Sequence, residues 1–268
     1  MDRHANAYPE MSDNRALVTG ASAGLGREFA RQLAVQGRNL VLVARRTEPM
    51  LQLADELSAA HGVEVDIIPA DLADGTAPRE IFEQTRRRGH EVDYLINNAG
   101  SMGPDLLSDS DWVDSHQYLE LMMNSVAAMC HFFIPPMRER GFGRVLNVAS
   151  VAGLLSVSGD YSYGPTKAYL VALSRALSIT LRPHGINVTA LCPGFTHTDF
   201  HVSERLTRMK RSTPKFIWYD ADVVVREGLA ALEKGRPVFI SGRLYRYLIP
   251  ILRLPISRSL VSALGVKL

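Results

Sequence analysis

Short runs rich in apolar residues alternate along this chain with longer stretches that return an apolar residue every three or four positions. The runs are Ala16–Val18, Asn39–Ala44, Val63–Ile68, Tyr94–Ile96, Arg144–Ala149 and Ile186–Leu191. Their length and composition suit strands buried on both faces, as in a parallel sheet. Between the first two, Phe29, Ala30, Leu33, Ala34 and Val35 repeat at helical spacing and stop near Gly37. Strand followed by helix, many times over, predicts an α/β chain with a doubly wound, mostly parallel sheet. No internal repeat, low-complexity tract or linker divides the 268 residues, so they are read as one domain. Residues 1–13 are polar and aperiodic, which predicts a frayed N-terminus, and residues 14–241 form the domain proper.

The first strand leads directly into Thr19-Gly20-Ala21-Ser22-Ala23-Gly24-Leu25-Gly26, and a helix pattern follows at once. Glycines in that setting let the backbone turn tightly and approach a pyrophosphate, which then meets the free N–H groups at the helix start. No Gly-Lys-Ser/Thr follows, which excludes a Walker-type phosphate loop. The loop is therefore read as a dinucleotide site, with Thr19, Gly20, Ser22, Ala23, Gly24, Leu25 and Gly26 as its residues. The second strand ends at Ala44, with Arg45 and Arg46 directly behind it. An NAD site usually carries Asp or Glu near that point to hold the ribose hydroxyls. Two guanidiniums and no carboxylate favour a 2′-phosphate, hence NADP(H) over NAD(H), although one of the arginines fits a merely solvated role.

Tyr163 and Lys167 stand four residues apart, and Ser150 lies thirteen residues upstream of the tyrosine. On a helix, positions i and i+4 share one face. A cation beside a phenol favours the phenolate and would pull its pKa towards neutrality, where it exchanges a proton with a substrate hydroxyl. A serine hydroxyl nearby would polarise a carbonyl oxygen. Tyr-x-x-x-Lys in isolation more often marks a solvated helix face; the rest of the chain shifts the balance.

With these motifs in order, the chain resembles the short-chain dehydrogenases/reductases, in the branch with shorter subunits. The resemblance spans roughly residues 14–240 and rests on Thr19-Gly20-x-x-x-Gly24-x-Gly26, Asp71-Leu72, Asn97-Asn98-Ala99-Gly100, Asn124, Ser150, Tyr163-x-x-x-Lys167 and Pro193-Gly194. It implies a single-domain Rossmann fold, a seven-stranded sheet with helices on both faces. It further implies that Asp71 and Leu72 meet the adenine, and that Asn98, Ala99 and Gly100 support the sheet and the nearby ribose. Asn124 would hold a water linking the lysine to solvent, and Ser150 would bind the substrate oxygen. Tyr163 would act as general acid or base, and Lys167 would bind the nicotinamide ribose and lower the tyrosine pKa. Pro193, Gly194, Thr196 and Thr198 would form the nicotinamide-carboxamide loop. The implied activity is NADP(H)-dependent interconversion of a secondary alcohol and a ketone or aldehyde, in a cytoplasmic homodimer or homotetramer. Two departures stand out: Ala149 where a second serine is common, and Gly164-Pro165 inside the Tyr–Lys interval. Proline is tolerated in a first helical turn, so the catalytic helix should begin close to Tyr161.

Composition narrows the remaining classes. The formal net charge is +2 and the charges are dispersed, which does not suggest nucleic-acid binding. Cys130 and Cys192 fall in apolar runs and are read as core thiols. No metal spacing is present among the eight histidines, and His197 and His201 are read as ordinary loop residues. No charged-then-apolar leader precedes the first strand, so a secretory route is not expected. Residues 195–220 occupy the place of the family's substrate lid, with Arg205, Arg208, Lys210, Arg211 and Lys215 against Asp199 and Glu204, together with Phe200, Phe216, Ile217 and Trp218. They suit either an anion-tolerant mouth or a solvated basic face. The tail, 242–268, is basic and amphipathic but is broken by Pro250 and Pro255, so it is no spanning helix. It is read as a pocket roof, a subunit contact or a membrane-surface contact. Two alternatives to a soluble reductase remain at this level: a non-catalytic dinucleotide sensor or scaffold, and a membrane-surface reductase of lipids or acyl groups. An epimerase or dehydratase of the longer branch would favour Thr-Gly-x-x-Gly-x-x-Gly and a larger C-terminal domain, and this chain has neither.

Overall fold

A computed structural model describes residues 15–107, 111–197 and 214–252. Seven parallel strands form one sheet in the order β3-β2-β1-β4-β5-β6-β9. They are β1 (Arg15–Thr19), β2 (Asn39–Ala44), β3 (Val65–Pro69), β4 (Val92–Asn97), β5 (Gly143–Val148), β6 (Ile186–Cys192) and β9 (Val238–Ile240). A small second pair, β7 (Thr196–His197) and β8 (Tyr219–Asp220), has no counterpart in the sequence reading.

Alternation along the strands divides the core in two, because successive strand residues point to opposite faces. Leu17, Val41, Val43, Leu95, Val145 and Val188 point to one side. There they meet α3 (Ala77–Arg87), α5 (Ser125–Arg140), α6 (Tyr163–Leu181) and α8 (Arg243–Leu252). Ala16, Val18, Leu40, Leu42, Ile96 and Leu146 point to the other, against α1 (Gly24–Val35), α2 (Thr47–His61) and α7 (Ala221–Glu233). The predicted doubly wound sheet with helices on both faces is what forms.

Several boundaries differ from the sequence reading, each for a local reason. Val35, counted there on the apolar face of α1, is 68% exposed, and the buried face is Phe29, Ala30, Leu33 and Ala34. The third strand starts at Val65 instead of Val63, because pairing with β2 begins at Leu40–Val65. Asn124 ends a π-helical turn, Glu120–Asn124, that joins α4 (Trp112–Leu119) to α5. Helix α6 begins at Tyr163, two residues after the expected start, and Pro165 falls in its first turn, where it costs no hydrogen bond.

The sheet order sets the position of the site. The chain moves outwards from β1 through β2 to β3, then returns to lay β4 on the other side of β1. The helices leaving β1 and β4 therefore part company, and a crevice opens at the carboxyl ends of these two strands.

Candidate active site

Both walls of that crevice are tied together by Thr19 and Asn98. Thr19 Oγ1 accepts from the N–H groups of Asn98 (2.9 Å) and Ala99 (3.1 Å). Asn98 Nδ2 donates to Thr19 O at 2.9 Å. The glycine loop above them is compact: a Cβ on Gly26 would fall 2.2 Å from Gly20 O, so only glycine lets α1 start there. Ala23 precedes α1 without a side-chain cap, and the helix has no acid in its first turn. Its first N–H groups are thus left for an anion, aided by the helix dipole.

At the end of β2, Ala44 is buried while Arg45 and Arg46 are exposed. Arg46 Nη2 reaches Ser22 Oγ at 3.3 Å, which joins the second strand's arginine to the glycine loop. Arg45 lies 3.8 Å from the Asp71 carboxylate, a solvated pair. Leu72 is buried behind it. The donor set fits a dinucleotide that carries a 2′-phosphate: uncapped helix N–H groups for the pyrophosphate, and a hydroxyl with two guanidiniums for the extra phosphate.

The catalytic candidates come from separate elements on the same side of the sheet. Ser150 follows β5 and opens the 3-10 turn Val151–Leu154, where its Oγ accepts from Ala152 N–H at 3.1 Å. Tyr163 opens α6 and hydrogen-bonds Ser150. Lys167 is 4% exposed, its Nζ donating to Val148 O at 2.8 Å and lying 5.7 Å from the centre of the Tyr163 ring. Gly100 adjoins Lys167 Nζ and the Met122 thioether, so the loop after β4 reaches the same point. The π turn carrying Asn124 packs against α6, and the Asn124 amide donates to Glu120 Oε2 at 2.7 Å.

Electrostatics correct one expectation. Burial pushes the Tyr163 phenol up to about 12; the Ser150 hydrogen bond opposes this, and the Asp160 carboxylate adds to it. Burial also brings the Lys167 ammonium down to about 8. The cation was expected to dominate and draw the phenol towards neutrality. Here desolvation disfavours both charged forms and outweighs a contact across 5.7 Å to the ring. Tyr163 is thus set as a proton-holding phenol, hydrogen-bonded to Ser150. That pair can present two hydroxyls to one carbonyl oxygen.

Pro193 and Gly194 follow β6, and buried Thr196 donates its hydroxyl to Gly194 O at 3.1 Å. Thr198 lies outside the described residues, as do His201 and most of the expected lid. His197 stacks on Trp218 with ring centres 5.3 Å apart. Cys130 and Cys192 are both buried thiols.

Two supporting residues went unrecognised in the sequence. Asp160 accepts from Gly164 N–H through both oxygens, at 3.0 and 2.9 Å, and so caps α6. An acid shortly before a helix start is a readable signal. Tyr245 contacts the Gly194 loop from α8, fifty residues on, and no local pattern announces that.

A sequence profile of the family described as short chain dehydrogenase matches residues 14–208. Sulfoacetaldehyde reductase 2 of Chromohalobacter salexigens is 32% identical over 186 residues, 69% of this chain and 73% of that protein. The 3-oxoacyl-(acyl-carrier-protein) reductase FabG of Staphylococcus epidermidis is 29% identical over 242 residues, 86% of this chain and 98% of that one. A solved short-chain dehydrogenase from Sphingobium yanoikuyae, in complex with NADPH, superposes with a TM-score of 0.77 at 26% identity, covering 94% of this chain and 93% of its own. The crevice between β1 and β4, the Ser150–Tyr163–Lys167 group beside it and these likenesses lead to one assignment: the chain belongs to the short-chain dehydrogenase family.

Proposed function

We propose that this oxidoreductase uses NADP(H) to interconvert a secondary alcohol and a ketone or aldehyde. The observation that carries the reading is the convergence of Ser150, Tyr163 and Lys167 beside the crevice whose rim holds Ser22, Arg45 and Arg46. The similar proteins named above support it, being reductases by name or bound to NADPH. When bound, the nicotinamide supplies or accepts the hydride. The chain does the rest. Thr19, Gly20, Gly24, Gly26 and the N–H groups of Ser22, Ala23 and Leu25 hold the pyrophosphate, and Arg46 with Ser22 takes the 2′-phosphate. Asp71 and Leu72 border the adenine, Asn98, Ala99 and Gly100 the ribose, and Pro193, Gly194, Thr196 and Thr198 the carboxamide. Ser150 and the Tyr163 hydroxyl bind the carbonyl oxygen, and Tyr163 passes it a proton as reduction proceeds. Lys167 binds the nicotinamide ribose, and Asn124 holds a water that connects the lysine to solvent. The proposed setting is the cytoplasm, in a homodimer or homotetramer built on the helices that contain Asn124 and Tyr163.

The experiment is a fluorescence titration with NADPH and NADH, followed by turnover of a ketone and aldehyde panel. Tighter NADPH binding with carbonyl-dependent NADPH oxidation is the expected result. Tight NADPH binding with no turnover of any carbonyl or alcohol would leave a dinucleotide sensor in its place.

A further inference from the structure

Helix α8 has two faces of different kind. Tyr245 and Ile249 point inward and join the core beside the turn that follows Ser150. Arg243, Tyr247 and Ile251 succeed one another at four-residue spacing on the opposite side. Tyr247 is 72% exposed and Ile251 56%, and Leu248 borders them at 40%. Large apolar and aromatic side chains are thus held outward by a helix whose other face already roofs the fold. Phe216, 71% exposed, lies on the turn that Tyr245 binds through Ile217 O.

Charge selects among the surfaces that could cover this face. From Lys234 to Leu268 the chain has seven Lys and Arg side chains and no Asp or Glu. Of those described, Arg246 is committed inward to Glu227 at 3.1 Å and to the Phe239 ring, whereas Arg243 stands exposed at the edge of the Tyr247–Ile251 stripe. A second copy packed by two-fold symmetry would set Arg243 against itself, with no carboxylate in this part of the sequence to answer it. An acidic surface that also accepts tyrosine and isoleucine meets both requirements. Aromatic rings at headgroup depth with arginine beside them are how an amphipathic helix lies on a bilayer. We infer that the outer face of α8 docks on an anionic lipid bilayer, with Tyr247, Leu248 and Ile251 entering the headgroup boundary and Arg243 pairing with lipid phosphate. Among the described residues no helix is long and apolar enough to cross a membrane. The opposite, inner face of the same helix packs beside the turn after Ser150, so a bound molecule would hold that turn one helix away from the lipid.

The test uses the full chain and two kinds of vesicle, pure phosphatidylcholine and phosphatidylcholine with about one third phosphatidylglycerol. Sedimentation should show binding to the anionic vesicles at least about tenfold stronger than to neutral ones, and release by high salt. The double variant Tyr247→Ser/Ile251→Ser and the single variant Arg243→Glu should each weaken it about tenfold while leaving NADPH titration unchanged. That control reads the fold and the cofactor site separately from the lipid face, so failure of the redox assignment would not be confused with failure here. Wild-type protein that ignores anionic vesicles overturns the inference, as does a double variant that binds them equally well. A wild-type dimer that the double variant converts to monomer also overturns it, because a second copy then covers the face.

Discussion

The ring of Tyr245 fills the space where a side chain on Gly194 would begin: a Cβ built there falls 2.0 Å from the ring. The same tyrosine's hydroxyl accepts from Phe195 N–H at 3.2 Å and donates to Ile217 O at 2.8 Å. A helix near the end of the chain thereby fixes the loop that leaves β6. Gly194→Ala should cost about 1–3 kcal/mol by overpacking, read as a lowered denaturant midpoint. Tyr245→Phe keeps the ring and removes both hydrogen bonds, so it should cost about 1–3 kcal/mol and raise the KM for NADPH several-fold. An unchanged KM would separate this loop from the cofactor.

Tyr163→Phe leaves the shape of the site intact and removes the only proton that Tyr163 can give. NADPH should bind with nearly its original affinity while turnover falls by about 10²–10⁴-fold. Stopped-flow measurement of NADPH oxidation would check it; retained turnover would take the acid role away from Tyr163.

Arg46 reaches Ser22 at the glycine loop, whereas Arg45 faces Asp71. Reversal at Arg46 should therefore hurt NADPH more than reversal at Arg45. Arg46→Asp should lower the NADPH-to-NADH preference by about tenfold or more, because a bidentate guanidinium–phosphate contact becomes a repulsion. Equal effects of both substitutions would place the phosphate between the two arginines.

Lys167 titrates near 8 in the folded chain, against 10.5 for the free side chain, because it is buried. Between those values the unfolded chain binds more protons, so folding gains as pH rises. Relative to Lys167→Met, the wild-type melting temperature should climb from about pH 8 towards pH 10 and stay level below pH 8. The Tyr163 phenol, raised to about 12, works in the opposite sense only above its unfolded value near 10, leaving the lower window to the lysine. A flat difference across pH 8–10 would mean that Lys167 is solvated.

Sequence alone determined the architecture and supplied most of the proposed site, because these depend on local rules. Apolar runs of strand length separated by helical periodicity specify a parallel sheet, since only two covered faces satisfy strands like Leu40–Val43. Glycine at positions 20, 24 and 26 and the Tyr163–Lys167 spacing are likewise written within single elements. Tertiary structure decided what depends on distance in space and on exclusion of water. The joining of Thr19 to Asn98 spans 79 residues and follows from the strand order. The order also brings Ser150 to Tyr163, and the resulting burial moves the phenol and the ammonium towards their neutral forms, against the expectation from spacing alone. The tail divided in the same way: its amphipathic pattern was legible, but which face Tyr245 and Ile249 would bury was fixed by the core they had to fill.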